Sequence, residues 1–89
     1  MISHITADFR RDFAELPPAI KKQAKAAFRT FLTDPSHPSL RFKKLPPHAD
    51  IWSVRITADY RAIGRRRGDA IVWFFIGTHA DYDKVLDRL

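Results

Sequence analysis

The chain has 89 residues, and its 16 lysines and arginines outnumber its 10 aspartates and glutamates, which gives a formal net charge of +6. This length predicts one domain over residues 1–89, and an apolar share of 45% argues against disorder. The absence of cysteine excludes a disulfide framework, a thiolate zinc site and a cysteine nucleophile. Because no apolar run reaches 18 residues and no hydrophobic signal region begins the chain, we expect a soluble, unexported protein.

The N-terminal segment carries the spacing of two amphipathic helices. Phe9, Phe13 and Leu16 recur every three or four residues, which predicts a helix over 8–16 that ends before two prolines. A second helix is predicted over 18–32, because Pro18 at the first helical position leaves no hydrogen bond unmade. The short connection between them predicts an antiparallel helical hairpin.

After Ser39 the spacing changes to the period of two that is typical of strands. This alternation predicts an edge strand over 40–45 and further strands over 51–56 and 60–65, while residues 1–5 are a candidate for one more edge strand. A turn is predicted at 57–59 and a hairpin loop at 66–69, where Gly68 is free to take positive φ.

The last part of the chain predicts a buried strand followed by a helix. Residues 70–76 form a continuous apolar run, which is typical of a central strand covered on both faces. Gly77 is expected to end this strand, and residues 80–89 predict a short C-terminal helix. The predicted class is therefore α+β, with the N-terminal helical hairpin packed on a four-stranded antiparallel sheet and a short C-terminal helix.

All of the excess positive charge falls within residues 41–67, where eight basic residues stand against two acidic ones. Such a cluster is suited to polyanions, chiefly nucleic acid, and an acidic protein partner would satisfy the same field. The histidines are dispersed without metal-ligand spacing, so we expect no metal site and no cofactor. The residues predicted to bind RNA are Arg41, Lys43, Lys44, Arg65, Arg66 and Arg67.

A candidate catalytic group can be assembled on the sheet face away from the helices. The alternation points Arg55 to that face, a hairpin register can bring Arg61 beside it, and His79 and Tyr82 follow the last strand. This group suits metal-free RNA cleavage, in which a base deprotonates the 2′-hydroxyl, cations stabilise the phosphorane and an acid protonates the leaving oxygen. The structural alternatives are that His79 caps the final helix or pairs with an aspartate, and that Arg65, Arg66 and Arg67 form a solvated loop.

Four short segments together resemble the RelE/ParE superfamily of bacterial toxin–antitoxin toxins. They lie at residues 40–45, 52–56, 60–63 and 76–82, in that order, after the predicted helical hairpin. The resemblance implies a compact RelE-like fold with two helices on an antiparallel sheet. RelE-like members cut messenger RNA, usually on the ribosome, and are silenced by a co-encoded antitoxin, whereas ParE-like members poison DNA gyrase.

The resemblance also implies roles for individual residues. Arg61 is similar to the strand arginine that RelE-like members use on the scissile phosphate, and Arg55 lies in the corresponding basic patch. His79 and Asp59 match catalytic residues of YafQ-like members, and Tyr82 is a loose substitute for a C-terminal tyrosine of RelE-like members. Two further histidines of YafQ-like members are replaced here by basic residues, so their full catalytic set is absent.

The partners implied by the resemblance are a cognate antitoxin whose acidic segment wraps the toxin, messenger RNA with the ribosome, and operator DNA reached only through the antitoxin complex. No membrane partner is expected, and the location implied is the bacterial cytoplasm. Three functions stay open. The favoured hypothesis is an mRNA endoribonuclease that inhibits translation, and the alternatives are a non-catalytic gyrase inhibitor and a decayed toxin that binds only its antitoxin.

Overall fold

The computed structural model describes residues 1–89 as three helices, five strands and one 3₁₀ turn. In chain order these are β1 (Ile2–Ile5), α1 (Ala7–Ala14), α2 (Pro18–Thr33), the 3₁₀ turn (Pro38–Leu40), β2 (Lys43–Lys44), β3 (Ile51–Arg55), β4 (Tyr60–Arg67), β5 (Ala70–Thr78) and α3 (His79–Asp87). No helix is both long and apolar enough to cross a membrane.

The two N-terminal helices pack together as predicted. The Thr6 side chain accepts a hydrogen bond from the Phe9 backbone N–H at 3.1 Å, which caps the start of α1. The helix ends at Ala14, two residues early, because the chain tightens there and the Glu15 N–H donates to the Asp12 carbonyl. Phe9 of α1 and Phe28 of α2 then meet edge to face, with ring centroids 5.7 Å apart.

The sheet has the strand order β1-β5-β4-β3-β2. The four strands from β2 to β5 are antiparallel, whereas β1 lies parallel to β5 with Ile2 opposite Ala70 and Ile5 opposite Trp73. The α+β prediction is confirmed, but the sheet is five-stranded and mixed rather than four-stranded and antiparallel. The candidate strand over 1–5 accounts for the difference, because α1 and α2 separate it from the later strands and supply the crossover that a parallel pair needs.

Three further predictions of element boundaries are wrong. The strand predicted over 40–45 is reduced to two residues, because the 3₁₀ turn and a left-handed Arg41 (φ 46°) carry Leu40 into the core instead. Gly77 does not end β5; a Cβ there would lie 2.8 Å from Cζ of Phe75, so the glycine makes room for that ring. The hairpin turn contains only Gly68 (φ 59°) and Asp69, which leaves the two preceding arginines within β4.

Hydrophobic clusters cover the central strands on both faces. On the hairpin face, which packs against α1 and α2, Trp73 is fully buried and meets the rings of Phe28 and Phe31 at 5.4 and 5.3 Å. On the opposite face, α3 packs Tyr82 against Ile63 and Phe75. This burial on both sides confirms the interpretation of the apolar run as a central strand.

Candidate functional site

The opposite face of the sheet carries two arginines in direct register. β3 and β4 pair so that Arg55 lies opposite Arg61, while Val54 and Ala62 beside them belong to the core of the hairpin face. Because successive residues of a strand point to opposite faces, both arginines lie on the opposite face, as predicted. Neither forms an ion pair with a carboxylate.

The guanidinium of Arg61 is held by its own turn. Its Nη1 donates to the backbone carbonyls of Thr57 at 2.5 Å, Tyr60 at 3.1 Å and Ala58 at 3.3 Å. Partial burial lowers the pKa of Arg61. Since only Nη1 is occupied, the rest of the fork remains available to a ligand.

The four groups that act electrostatically on Arg61 are all predicted site residues. The positive charges of Arg55 and Arg41 add to the effect of burial in lowering the pKa of Arg61, whereas Tyr82 and Asp59 oppose it. An arginine remains protonated under all ordinary conditions. The neighbourhood of Arg61 is therefore a positively charged patch with one phenol and one carboxylate at its border.

The start of α3 brings a histidine to this patch. Thr78 caps the helix by accepting a hydrogen bond from the Asp81 N–H at 3.2 Å, so His79 is the first helical residue. The His79 N–H donates to the Asp59 carbonyl at 2.8 Å, which ties the helix to the turn at 57–59. The His79 ring lies 5.3 Å from that of Tyr82, and its Nδ1 lies 3.4 Å from Oδ2 of Asp83.

The structure thus brings the predicted catalytic residues to one end of the sheet. Tyr82 is buried, with 7% of its surface exposed, whereas the imidazole of His79 is exposed to solvent. Asp59 is exposed and contributes its backbone carbonyl as well as its charge. The residues that meet there are Arg55, Asp59, Arg61, His79 and Tyr82.

The residues predicted to bind RNA do not form one surface. Arg41 is close enough to act on Arg61, and Lys43 lies opposite the buried Ser53, on the same face of the sheet. Lys44 lies opposite Trp52 and therefore on the hairpin face.

The three arginines at the end of β4 also divide between the two faces. Arg65 pairs with Asp50 at 3.3 Å and stacks on Phe74, and Arg67 is exposed on the same face. Arg66 was predicted to lie in a solvated loop; instead it is half-buried on the hairpin face, over the ring of Trp52. It lies there because β4 continues to Arg67 and the alternation of the strand continues with it.

The sequence pattern was not used to predict an acidic group around Asp12. Burial raises the pKa of Asp12, and Asp8, Glu15 and Asp81 raise it further against the lowering effect of Arg11. The spacing of Asp8 and Asp12 in α1 and of Glu15 at its C-cap was the available signal. No group of three or more histidine or acidic side chains is arranged to hold a metal ion.

The fold is that of known toxins. The RelB–RelE antitoxin–toxin complex from Methanococcus jannaschii matches with a TM-score of 0.76 at 18% identity, over 92% of this chain and 96% of that chain. YafQ from E. coli matches with a TM-score of 0.72 at 13% identity, over 90% and 94%. The RelBE2 complex from Mycobacterium tuberculosis matches with a TM-score of 0.61 at 29% identity, over 88% and 96%. The fold is therefore RelE-like.

The family follows from the sequence itself. Residues 18–84 match the model of the ParE-like toxin domain, and the chain belongs to this family. The resemblance to the RelE/ParE superfamily is thereby confirmed. No curated protein matches the sequence significantly.

Proposed function

We propose that this chain is the toxin of a type II toxin–antitoxin system and cuts messenger RNA on the ribosome without a metal. We also propose that residues 1–89 form a single domain that acts in the cytoplasm. The observation that carries it is the pair of arginines, Arg55 and Arg61, that face each other without a carboxylate partner beside His79.

The arginine pair suits a phosphate. Like charges directly opposite on neighbouring strands destabilise a sheet, and an anion between Arg55 and Arg61 removes that cost. Guanidinium groups bind phosphate through paired N–H donors, and the fork of Arg61 is already oriented by its turn. In the transition state the same donors stabilise the negative charge that develops on the phosphorane oxygens.

His79 supplies proton transfer. Cleavage begins when a base removes the proton of the 2′-hydroxyl and that oxygen attacks the phosphorus; it ends when the 5′ oxygen leaves with a proton, giving a 2′,3′-cyclic phosphate. An imidazole can accept the first proton or donate the second near neutral pH. The ring of His79 lies against Tyr82 and Asp83, and its backbone is tied to the turn that also holds Arg61, which supports this role for His79.

A cognate antitoxin is the proposed partner. The relatives from M. jannaschii and E. coli include complexes with RelB and DinJ, which supports an equivalent partner for this chain. An acidic antitoxin segment is electrostatically suited to the patch around Arg61, where it competes with RNA. Operator DNA is reached only through such a complex.

Two substitutions test the mechanism. Expression of the wild-type chain should arrest growth, and the purified protein should cut messenger RNA on ribosomes. His79→Ala and Arg61→Ala should abolish both while circular dichroism shows a folded protein. Arg10→Ala on the exposed surface of α1 is the matched control and should remain toxic. If both site variants arrest growth as strongly as the wild type, the mechanism is wrong.

The family model favours a second candidate function, inhibition of DNA gyrase by a non-catalytic toxin, because it describes a ParE-like domain. A supercoiling assay with purified gyrase separates the two. The ribonuclease leaves supercoiling unchanged, whereas the alternative predicts inhibition with intact RNA. If expression of the chain does not arrest growth, a decayed toxin that retains only antitoxin binding is the better interpretation.

A further inference from the structure

A cation lies over two aromatic rings at the far end of the hairpin face. The guanidinium of Arg66 is 4.7 Å from the centroid of the Trp52 ring and 5.8 Å from that of Phe42. The two rings lie 4.7 Å apart with 32° between their planes. The three distances form a compact triangle in which each group lies beside the other two; this cluster is called here the Arg66 stack.

The guanidinium of this stack is held in place before any ligand binds. Nε of Arg66 donates to the carbonyl of Gly68 at 3.2 Å, and the backbone N–H donates to the Asp50 carbonyl at 2.8 Å. Phe42 is fixed in turn by Phe31, whose fully buried ring it meets edge to face at 5.0 Å. A planar group fixed in this way loses little conformational entropy when a ligand stacks on it.

The surroundings of the Arg66 stack are positive and provide room for a ligand. Lys44 lies opposite Trp52 and is exposed on the same side, and no carboxylate forms an ion pair with Lys44 or Arg66. A cleft beside the stack is lined by Phe42, Arg66 and Asp69, and the Asp69 carboxylate lies 4.0 Å from the N-terminal ammonium group. A flat cationic surface next to an open cleft and a free lysine matches the chemistry of an unpaired nucleotide.

We propose that the Arg66 stack binds one unpaired base of single-stranded RNA, with Lys44 on the neighbouring phosphate. Bases stack on aromatic rings and on guanidinium planes, and the phosphate adds a charge contact that does not depend on sequence. An acidic peptide would use the charges but not the planar surface, so RNA fits the observations better.

The stacking site is separate from the catalytic patch. Arg66 lies five residues beyond Arg61 along β4, a distance of about 17 Å, and its side chain is on the other face of the sheet. The RNA therefore passes around the short edge strand β2, where Lys43 faces the catalytic side and Lys44 the stacking side. The inference rests on the proposed function only in taking RNA as the ligand.

Tryptophan fluorescence of the full chain tests the site. Trp73 is fully buried, so a change on ligand binding reports on the half-buried Trp52. The probe is a single-stranded RNA of about 12 nucleotides with 2′-O-methyl groups throughout, which binds but cannot be cleaved. We expect this probe to quench the fluorescence, and Trp52→Phe to abolish the quenching.

The decisive variant keeps the charge and removes the planar group. Arg66→Lys should weaken binding of the probe about tenfold, because the base loses its planar cationic partner. The dependence of binding on salt should stay the same, because no charge is lost. Arg10→Lys is the matched control and should bind like the wild type. Thermal melts of each variant confirm folding before binding is compared.

Failure of this inference and failure of the proposed function give different results. Equal binding by Arg66→Lys and wild type, binding without quenching, or no binding of the probe overturns the stacking site. So does quenching by a glutamate-rich peptide in place of RNA. In contrast, Arg61→Ala should lose cleavage and keep the quenching. If the probe quenches the fluorescence of the wild-type protein but that protein cuts no RNA, the ribonuclease proposal is wrong and the stacking site stands.

Discussion

Arg55 and Arg61 lie directly opposite each other on neighbouring strands, and no carboxylate neutralises either charge. A like-charged pair in this position destabilises a sheet. The partial burial that lowers the pKa of Arg61 also limits the screening of this repulsion by solvent. The Arg55–Arg61 pair therefore lowers the stability of the fold at the position where the phosphate of the proposed substrate binds.

Replacement of Arg55 should make the repulsion between the two arginines measurable. We expect Arg55→Gln to unfold at a higher temperature than the wild type in buffer without multivalent anions, because the repulsion is gone. Inorganic phosphate at constant ionic strength should stabilise the wild type more than the variant, since ligand binding to the folded state raises the melting temperature. Differential scanning fluorimetry measures both effects, with Lys25→Gln on exposed α2 as the control. An equal phosphate response in all three proteins would contradict the anion site.

The cap of α3 should matter for both stability and activity. Thr78→Ala removes the acceptor for the Asp81 N–H and should destabilise the protein by about 0.5–2 kcal/mol in urea unfolding. RNA cleavage should fall several-fold under conditions where the variant is folded, because His79 begins the helix and loses its fixed position. Thr78→Ser retains the hydroxyl and should behave like the wild type. A drop in stability with unchanged cleavage would show that the Thr78 cap does not position His79 for cleavage.

Gly77 is required for space rather than for flexibility. A Cβ at this position would lie 2.8 Å from Cζ of Phe75, so Gly77→Ala should cost about 1–3 kcal/mol through overpacking. In a Phe75→Leu background the same substitution should cost less, which a double-mutant cycle of urea unfolding measures. Gly68→Ala is the contrasting control: nothing lies within 4 Å of its Cβ, but its φ of +59° is unfavourable for alanine. Its cost should be the same in both backgrounds.

The pKa of Asp12 predicts a specific dependence of stability on pH. It is raised above the usual 3.8, first by burial and then by Asp8, Glu15 and Asp81, against the lowering effect of Arg11. The folded chain thus holds this proton more tightly than the unfolded chain, so the stabilisation exists below pH 3.8 and disappears as pH rises through the raised pKa.

Asp12→Asn tests this dependence directly. Below pH 3.8 the variant and the wild type should be similarly stable, because the wild-type side chain is then also neutral. As pH rises, the free energy of unfolding of the variant should exceed that of the wild type, and the difference should level off once pH exceeds the raised pKa of Asp12. Urea unfolding at a series of pH values measures the difference. Two parallel stability curves would show that Asp12 does not carry the effect.

Sequence reasoning succeeded where the structure depends on neighbouring residues. The periodicity of α1 and α2 and the apolar run of β5 follow from which side chains a helix or strand must bury locally. The parallel pairing of β1 was not predicted, because its partner lies at the other end of the chain. The short β2 was also missed, because the burial of Leu40 depends on the core formed by α2 and the sheet.

The candidate site divides in the same way. Sequence alone placed Arg55 on the face away from the helices and His79 after the last strand, because alternation and chain order are local properties. Only the tertiary structure decided that the two arginines lie in direct register and that Arg66 turns to the hairpin face over Trp52. Register and the end of a strand are set by hydrogen bonds and packing between distant segments, which no local pattern records.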